Sequence, residues 1–239
     1  MNNSEERRQL AAALRWTARL NMHEGIANHF SLSVSDDGSQ FLINPYGRHW
    51  SKMKASDLLE LDAHMTPEGV NDVVDPTAWA IHGALHRLVP HARCIMHVHS
   101  KYVTALACLK SPLMPPIDQN TMRFFNRVAV DTGFDGMGLG REAERLAGTL
   151  GEHRVLIMGN HGVLVVAETV AGAFDDLYYF ERAAETYITA LQSGLELNVV
   201  SDKVAEKTAR QWENYPNAAQ KHLSAICAVL EEEEPEYRE

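Results

Sequence analysis

The stretch "CIMHVHSKYV", residues 94–103, places two histidines two positions apart inside a short apolar run. A run of this kind predicts a buried β-strand. Side chains at positions i and i+2 of a strand project from the same face, so we expect His97 and His99 to point together while Val98 points away into packing. Two imidazoles on one face can supply two ligands to a divalent metal ion at about 2.0–2.2 Å. The pair alone leaves an alternative equally open, namely one structural and one surface histidine.

A third histidine, His161, lies in the loop "GNHG" that follows the apolar run "VLIM". A histidine in a glycine-flanked loop at the end of a buried strand is positioned by the backbone rather than by core filling. The alternative is simple turn chemistry, since turns of the Asn-Gly type tolerate almost any neighbour. We favour a three-histidine site of His97, His99 and His161, which leaves coordination positions for water or substrate. A metallo-β-lactamase-type site fits less well, because it needs an aspartate where this chain has Lys101.

Composition narrows the classes of partner. The chain has 239 residues, 45% of them hydrophobic, which is enough for one substantial core. With 32 acidic and 22 basic residues the net charge is −10, which argues against nucleic acid and anionic membrane as partners. The start, "MNNSEERRQL", is polar where a signal peptide is apolar, and the three cysteines show no CxxC spacing. We therefore expect a cytoplasmic protein with reduced thiols.

Helix and strand patterns alternate along the chain, which predicts one α/β or α+β domain. The predicted elements are a helix from about Glu5 to Met22; a hairpin of "HFSLSV" and "QFLIN" around "SDDGS"; a turn at "NPYG"; a short strand near "LLELD"; a helix from Pro76; a helix at "GREAERLAGTLG"; and two strands around "GNHG". Ser100 and Thr169 are predicted to cap the helices that follow them, and the acidic tail "EEEEPEYRE" is predicted to be frayed.

An ordered set of motifs then resembles the class II aldolase/adducin superfamily over roughly residues 5–195. The set comprises "NHFSLSV", "FLINPYG", "WSKMKASDLLELD", "AIHGALHRLVPHARCIMHVHS", "RVLIMGNHGVLVV" and "TVAGAFDDLYYFERAAE". The resemblance implies a three-layer α/β/α fold around a largely antiparallel central sheet, and a homotetramer with active sites at subunit interfaces. It also implies that His97, His99 and His161 bind zinc or manganese. We expect residues 1–200 to form the metal-binding domain and residues 201–239 to be its C-terminal helical extension and acidic tail.

The chain departs from the sugar-phosphate aldolases that it resembles at one important position. Those enzymes carry a glutamate in a "P-S-S-E" stretch before the His-x-His strand, where it serves as metal ligand and general base. The corresponding stretch here is "DPTA", with Ala78 at the glutamate position. Places that hold small groups around a phosphate in those enzymes carry His29, Tyr46, Pro76 and Thr77 here. The resemblance therefore implies a bulkier pocket and a non-phosphorylated substrate.

Loss of the glutamate shifts the expected reaction. Retro-aldol cleavage needs a base to take a hydroxyl proton, whereas decarboxylation releases CO₂ once an electron acceptor is present. We therefore prefer a decarboxylase that acts on a hydroxy or keto carboxylate, and this carboxylate could be aromatic. Three alternatives stay open: an aldolase in which water or His29 replaces the glutamate, a non-haem iron oxygenase, and a non-catalytic adducin-like module.

Seven further residues are considered for the site. His29 and His82 are candidate acid–base groups, because histidine titrates near neutral pH. His86 is the i+4 neighbour of His82 on the same helix face, and one of the two is expected to face the site. The candidate substrate-binding residues are Tyr46, Thr77, Arg123 and Phe124. Arg123 is proposed to clamp a carboxylate, and Tyr46 and Phe124 to stack on an aromatic substrate.

Overall fold

The fold is built around one sheet of seven strands among the described residues, which in this computed structural model are 4–64, 73–133, 136 and 142–239. The strands are β1 (His29–Ser33), β2 (Gln40–Ile43), β3 (Leu59–Asp62), β4 (Cys94–Val98), β5 (Val128–Asp131), β6 (Val155–Met158) and β7 (Gly162–Ala167). Their order is β3-β2-β1-β4-β7-β6-β5, and every neighbouring pair is antiparallel except β5 and β6. The expected largely antiparallel sheet is confirmed.

Helices cover both faces of this sheet. They are α1 (Ser4–Arg19), α2 (Pro76–Leu88), α3 (Lys101–Ala107), α4 (Gln119–Arg123), α5 (Glu142–Leu150), α6 (Val170–Gln192), α7 (Asp202–Glu213) and α8 (Ala218–Glu233). Alternate residues of β4 enter opposite layers: Met96 and Val98 join the core with α1 and α6, whereas Ile95 joins the core with α2 and α5. The expected α/β/α arrangement is therefore confirmed. No helix in the described ranges is long and apolar enough to cross a membrane.

Local turn signals in the sequence predict the hairpins correctly. Strands β1 and β2 pair around a turn in which Gly38 has a φ of +70°, and a side chain there would meet the carbonyl oxygen of His86. Strands β6 and β7 pair around "GNHG". Thr169 accepts a hydrogen bond from the Gly172 amide and caps α6, as predicted. Of the predicted helix at "GREAERLAGTLG", residues 140 and 141 lie outside the described residues.

The predicted cap of α3 is wrong. Ser100 stands at the N-cap position, but its hydroxyl donates to Glu181 of α6 at 2.8 Å instead of accepting from the first turn. Glu181 also accepts hydrogen bonds from the amides of Tyr102 and Val103, at 3.1 and 3.0 Å. A carboxylate from a distant helix thus satisfies the orphan amides that a local cap would otherwise take.

The prediction of a frayed tail is also wrong. Tyr237 is 2% exposed, and Arg15 of α1 is buried with its Nε donating to the Met53 carbonyl at 2.7 Å. The same guanidinium pairs with Glu234 at 2.6 Å and Glu236 at 3.0 Å. A buried arginine needs these carboxylates to compensate its charge, so the acidic run is held in place. The division at residue 200 stays a prediction.

We expect Glu181→Ala to lower the free energy of unfolding by about 2 kcal/mol, because three donors lose their common acceptor. Urea unfolding followed by circular dichroism measures this change. The matched control is Glu185→Ala, one turn along the same helix, where the carboxylate pairs with the exposed Arg182 and a change within about 0.5 kcal/mol is expected. Equal effects of the two substitutions would contradict the capping role of Glu181.

Candidate metal centre

Three imidazoles converge at one end of the central strands. Each of His97, His99 and His161 offers a nitrogen, and these atoms all lie within 4.8 Å of one another. The ring centroids are 4.7–4.9 Å apart. Because β7 pairs with β4, the loop before β7 returns to the point where β4 ends. Gly162 permits this approach, since a Cβ there would lie 2.5 Å from the Val98 carbonyl oxygen and 2.9 Å from the His99 ring.

Hydrogen bonds fix which nitrogen of His97 and of His99 carries the proton. Nδ1 of His97 lies 2.9 Å from the carbonyl oxygen of Val163, and a carbonyl can only accept. Nδ1 of His99 lies 2.6 Å from a carboxylate oxygen of Glu24, which also only accepts when ionised. Both Nδ1 atoms therefore donate, and in neutral rings both Nε2 atoms carry lone pairs. These two Nε2 atoms are 2.8 Å apart.

Two lone pairs at 2.8 Å repel each other unless a cation lies between them. Burial lowers the pKa of His97 well below its ordinary value, and the nearby His29, His99 and His161 lower it further. Burial together with His99 lowers the pKa of His161 to about 4. A metal ion bound by both nitrogens would remove this repulsion, and the donor set fits a divalent ion that accepts imidazole nitrogen.

Glu24 is a member of this centre that the sequence analysis missed. It lies in the segment between α1 and β1, where no periodicity marks it. Its backbone amide donates to Asn28 Oδ1 at 2.7 Å, and the same oxygen accepts from the His99 amide at 3.4 Å. The Glu24–His99 contact orients the ring and would make its Nε2 a stronger ligand, as a carboxylate does for a metal-bound histidine.

A second group of histidines lies beside the first, on the α2 side of the sheet. His29 of β1 is opposite His97 in the strand register, and the two rings are 4.8 Å apart with a 33° tilt. Nδ1 of His29 lies 2.7 Å from Nε2 of His82. Ser31 Oγ contacts both His82 Nδ1 and His86 Nε2. The structure thus brings His29 and His82 together as a pair and adds His86 and Ser31 to them.

This second group is buried and neutral. His82 and Ser31 are 0% exposed, and His29 and His86 are nearly so. Burial lowers the pKa of His29 to about 3 and that of His86 to about 4. Burial, with His29 and His86 nearby, also lowers the pKa of His82 well below its ordinary value. Ser31 was missed, although it lies on the same strand face as His29 at i+2.

The candidate substrate-binding residues have other partners within the chain. Thr77 donates its hydroxyl to Asp75 at 2.6 Å in the cap of α2, and Tyr46 is 47% exposed in the turn after β2. Arg123 donates to Asp175 at 2.7 Å and to Asp176 at 2.6 Å, so its charge is already compensated. Phe124 is buried. Their roles in binding a substrate stay predictions.

Ala78 is buried within an apolar cluster. It is 1% exposed in the first turn of α2 and packs in a group with Phe41, Ile43 and Val74. The position at which a glutamate is expected in sugar-phosphate aldolases is therefore part of the core here. It offers neither a metal ligand nor a base.

Comparisons of the sequence with a family profile and with known proteins agree on one family. The sequence profile of the class II aldolase and adducin N-terminal domain matches residues 8–188. An adducin-related protein of Schizosaccharomyces pombe is 30% identical over 96% of this chain and 75% of its own length. The decarboxylase NovR of Streptomyces niveus is 28% identical over 84% of this chain and 75% of its own length.

Solved structures agree with this result. An aldolase II superfamily protein from Pseudomonas syringae superposes with a TM-score of 0.89 at 31% identity, covering 100% of this chain and 96% of its own. The L-fuculose 1-phosphate aldolase from Glaciozyma antarctica superposes with a TM-score of 0.85 at 25% identity, covering 100% and 93%.

We expect His161→Ala to abolish stoichiometric binding of a divalent ion, because it removes the ligand that joins the β6–β7 loop to β4. The wild-type protein should hold about one zinc or manganese ion per chain after dialysis, as measured by inductively coupled plasma mass spectrometry. The control is His64→Ala, which changes an exposed histidine. Retention of one equivalent by His161→Ala would contradict the proposed ligand set.

We expect Glu24→Gln to weaken zinc binding by about 10- to 100-fold while leaving the three imidazoles in place, since the orienting group loses its charge. Competition with a chromogenic chelator measures the dissociation constant. The same exchange at the exposed Glu152 should leave it unchanged. An unaltered constant for Glu24→Gln would show that the contact with His99 has no effect on the metal.

Proposed function

Because the chain belongs to the class II aldolase and adducin family, we propose that it is a metal-dependent carbon–carbon lyase. We propose further that it decarboxylates a non-phosphorylated hydroxy or keto carboxylate. The observation that carries this proposal is the convergence of His97, His99 and His161, in which the Nε2 atoms of His97 and His99 lie 2.8 Å apart. A cation bound by these nitrogens would remove the repulsion between their lone pairs.

Zinc or manganese suits the site best, with iron as a further candidate. His97, His99 and His161 would hold the ion, and a set of three nitrogen ligands leaves room for substrate oxygens. When bound, the ion supplies a Lewis acid that stabilises negative charge developing on a substrate carbonyl or hydroxyl oxygen. The histidines can serve as ligands at neutral pH because burial keeps His97 and His161 unprotonated.

Decarboxylation is the preferred reaction because of Ala78. Its buried methyl group cannot accept the hydroxyl proton that retro-aldol cleavage releases. In a decarboxylation the bond between the carboxylate and its neighbouring carbon breaks, CO₂ leaves, and the electron pair stays on the substrate. Water then returns a proton to that carbon. The similarity to the decarboxylase NovR supports this choice.

Aldol cleavage is the second candidate, and His29 favours it. Nδ1 of His29 contacts His82, which leaves its Nε2 as the atom that could take a hydroxyl proton in place of the missing glutamate. The bond between the hydroxyl-bearing carbon and its neighbour would then break, releasing an aldehyde and leaving the electron pair on the carbonyl fragment. The similarity to the L-fuculose 1-phosphate aldolase supports this candidate.

Substrate contacts and assembly complete the proposal. We propose that Tyr46 and Thr77 contact the substrate, because both lie near the start of α2. The Tyr46 amide donates a hydrogen bond to the Val73 carbonyl, and Thr77 is in the first turn of the helix. Asp75, at the cap of α2, acts electrostatically on His29, which connects this end of the helix to the histidines. We propose a cytoplasmic homotetramer with active sites between subunits.

We expect the zinc- or manganese-loaded protein to release CO₂ from at least one member of a panel of aromatic and aliphatic hydroxy and keto carboxylates. The rate should fall by at least about 100-fold in His161→Ala, which loses the Lewis acid. CO₂, aldehyde and O₂ are measured in parallel, and a phosphorylated ketose serves as the negative control. Aldehyde without CO₂ would favour the aldolase, and O₂ consumption the oxygenase. A metal-loaded protein without any turnover would favour a non-catalytic module.

A further inference from the structure

A continuous chain of hydrogen bonds runs from the α2–β4 connection to His29, whose ring packs beside the candidate metal centre. It begins at the carbonyl oxygen of Ala92, which lies 2.8 Å from Nδ1 of His86. A carbonyl can only accept, so Nδ1 of His86 carries the proton. Because a neutral imidazole has one N–H, Nε2 of His86 is an acceptor. Ser31 Oγ lies 2.7 Å from that atom and therefore donates its hydroxyl proton to it.

Ser31 then determines which nitrogens of the remaining two rings donate and which accept. With its own proton given to His86, Ser31 Oγ accepts from Nδ1 of His82. Nε2 of His82 is consequently an acceptor, and it lies 2.7 Å from Nδ1 of His29, which must donate. A single backbone carbonyl thus sets the tautomer of three histidines in series. At the end of the series, Nε2 of His29 carries a lone pair.

Burial makes this assignment stable. Ser31 and His82 are 0% exposed, and His29 and His86 are 4% and 6% exposed. Water therefore has little access to replace the hydrogen bonds between them. The His29 ring packs on His97 at a centroid distance of 4.8 Å, which puts the end of the chain beside the metal centre.

We propose that Ser31 and His86 are positioning residues that make His29 a hydrogen-bond acceptor at Nε2, and that His29 thereby selects a substrate hydroxyl over a keto oxygen. A hydroxyl can donate to this lone pair, whereas a keto oxygen would face it with another lone pair. The substrate is then a hydroxy carboxylate rather than a keto carboxylate. This inference rests on the proposed function for the location of the substrate, while the tautomers rest on the hydrogen bonds alone.

Nuclear magnetic resonance tests the tautomers directly. Long-range ¹H–¹⁵N correlation spectra of the zinc-loaded, ¹⁵N-histidine-labelled full chain should report His29, His82 and His86 as neutral Nδ1–H forms. Ser31→Ala removes the hydroxyl that joins His86 to His82, so His82 and His29 should show mixed tautomers. Ser31→Thr keeps the hydroxyl and should show the wild-type pattern. An Nε2–H form of His29 in the wild type, or an unchanged pattern in Ser31→Ala, would overturn the positioning role. A zinc-bound Nε2 of His29 would overturn its role in selecting the hydroxyl.

Calorimetry tests the selection with mandelate and phenylglyoxylate, which share a skeleton and differ in hydroxyl against keto oxygen. The zinc-loaded wild type should bind mandelate at least about tenfold more tightly, which corresponds to about 1.4 kcal/mol. Ser31→Ala should reduce the ratio to within about threefold, and Ser31→Thr should keep it. No preference in the wild type, no binding of either acid, or a preserved ratio in Ser31→Ala would overturn the selection. Failure of the wild type to bind zinc would instead refute the proposed function, and the tautomers would then be read from spectra of the metal-free chain.

Discussion

The site depends on two imidazole nitrogens that face each other at hydrogen-bonding distance. Nε2 of His97 and Nε2 of His99 lie 2.8 Å apart, and each ring already donates its Nδ1 proton, one to the Val163 carbonyl and the other to Glu24. Such a contact is repulsive until a cation joins the two lone pairs. We therefore propose that a cation belongs to this end of the sheet and that His161 completes its ligand set.

Strand order places two groups of histidines side by side. β4 lies between β1 and β7, so one neighbour brings His29 opposite His97 and the other brings His161 to the end of the strand. The first group, His97, His99 and His161, is the proposed metal ligand set. In the other group, the hydrogen bonds from His86 to His29 all run in one direction, which leaves a lone pair on Nε2 of His29. Ala78, buried where a carboxylate is expected, supplies no acid–base group, and in the aldol alternative we propose His29 of this second group as the base.

Strand alternation and turn chemistry are local, and for that reason the sequence predicted the hairpins and the shared face of His97 and His99, whereas the meeting of these two with His161 depends on the pairing of β4 with β7. The direct partners of the rings were not predictable, because the contact of Glu24 with His99 and that of Ser31 with His86 depend on strand register and on the path of a loop. Two local predictions failed for the same kind of reason. Distant side chains, Glu181 and Arg15, cap α3 and hold the acidic tail.

Zinc K-edge X-ray absorption of the metal-loaded protein tests the central claim most directly, because it reports the atoms bound to the ion. The account predicts three imidazole nitrogens at about 2.0–2.1 Å, with the remaining positions filled by oxygen. It also predicts that the imidazole signal falls to two rings in His161→Ala if any zinc is kept. A first shell made of oxygen, or one with fewer than three imidazoles in the wild type, would contradict the account.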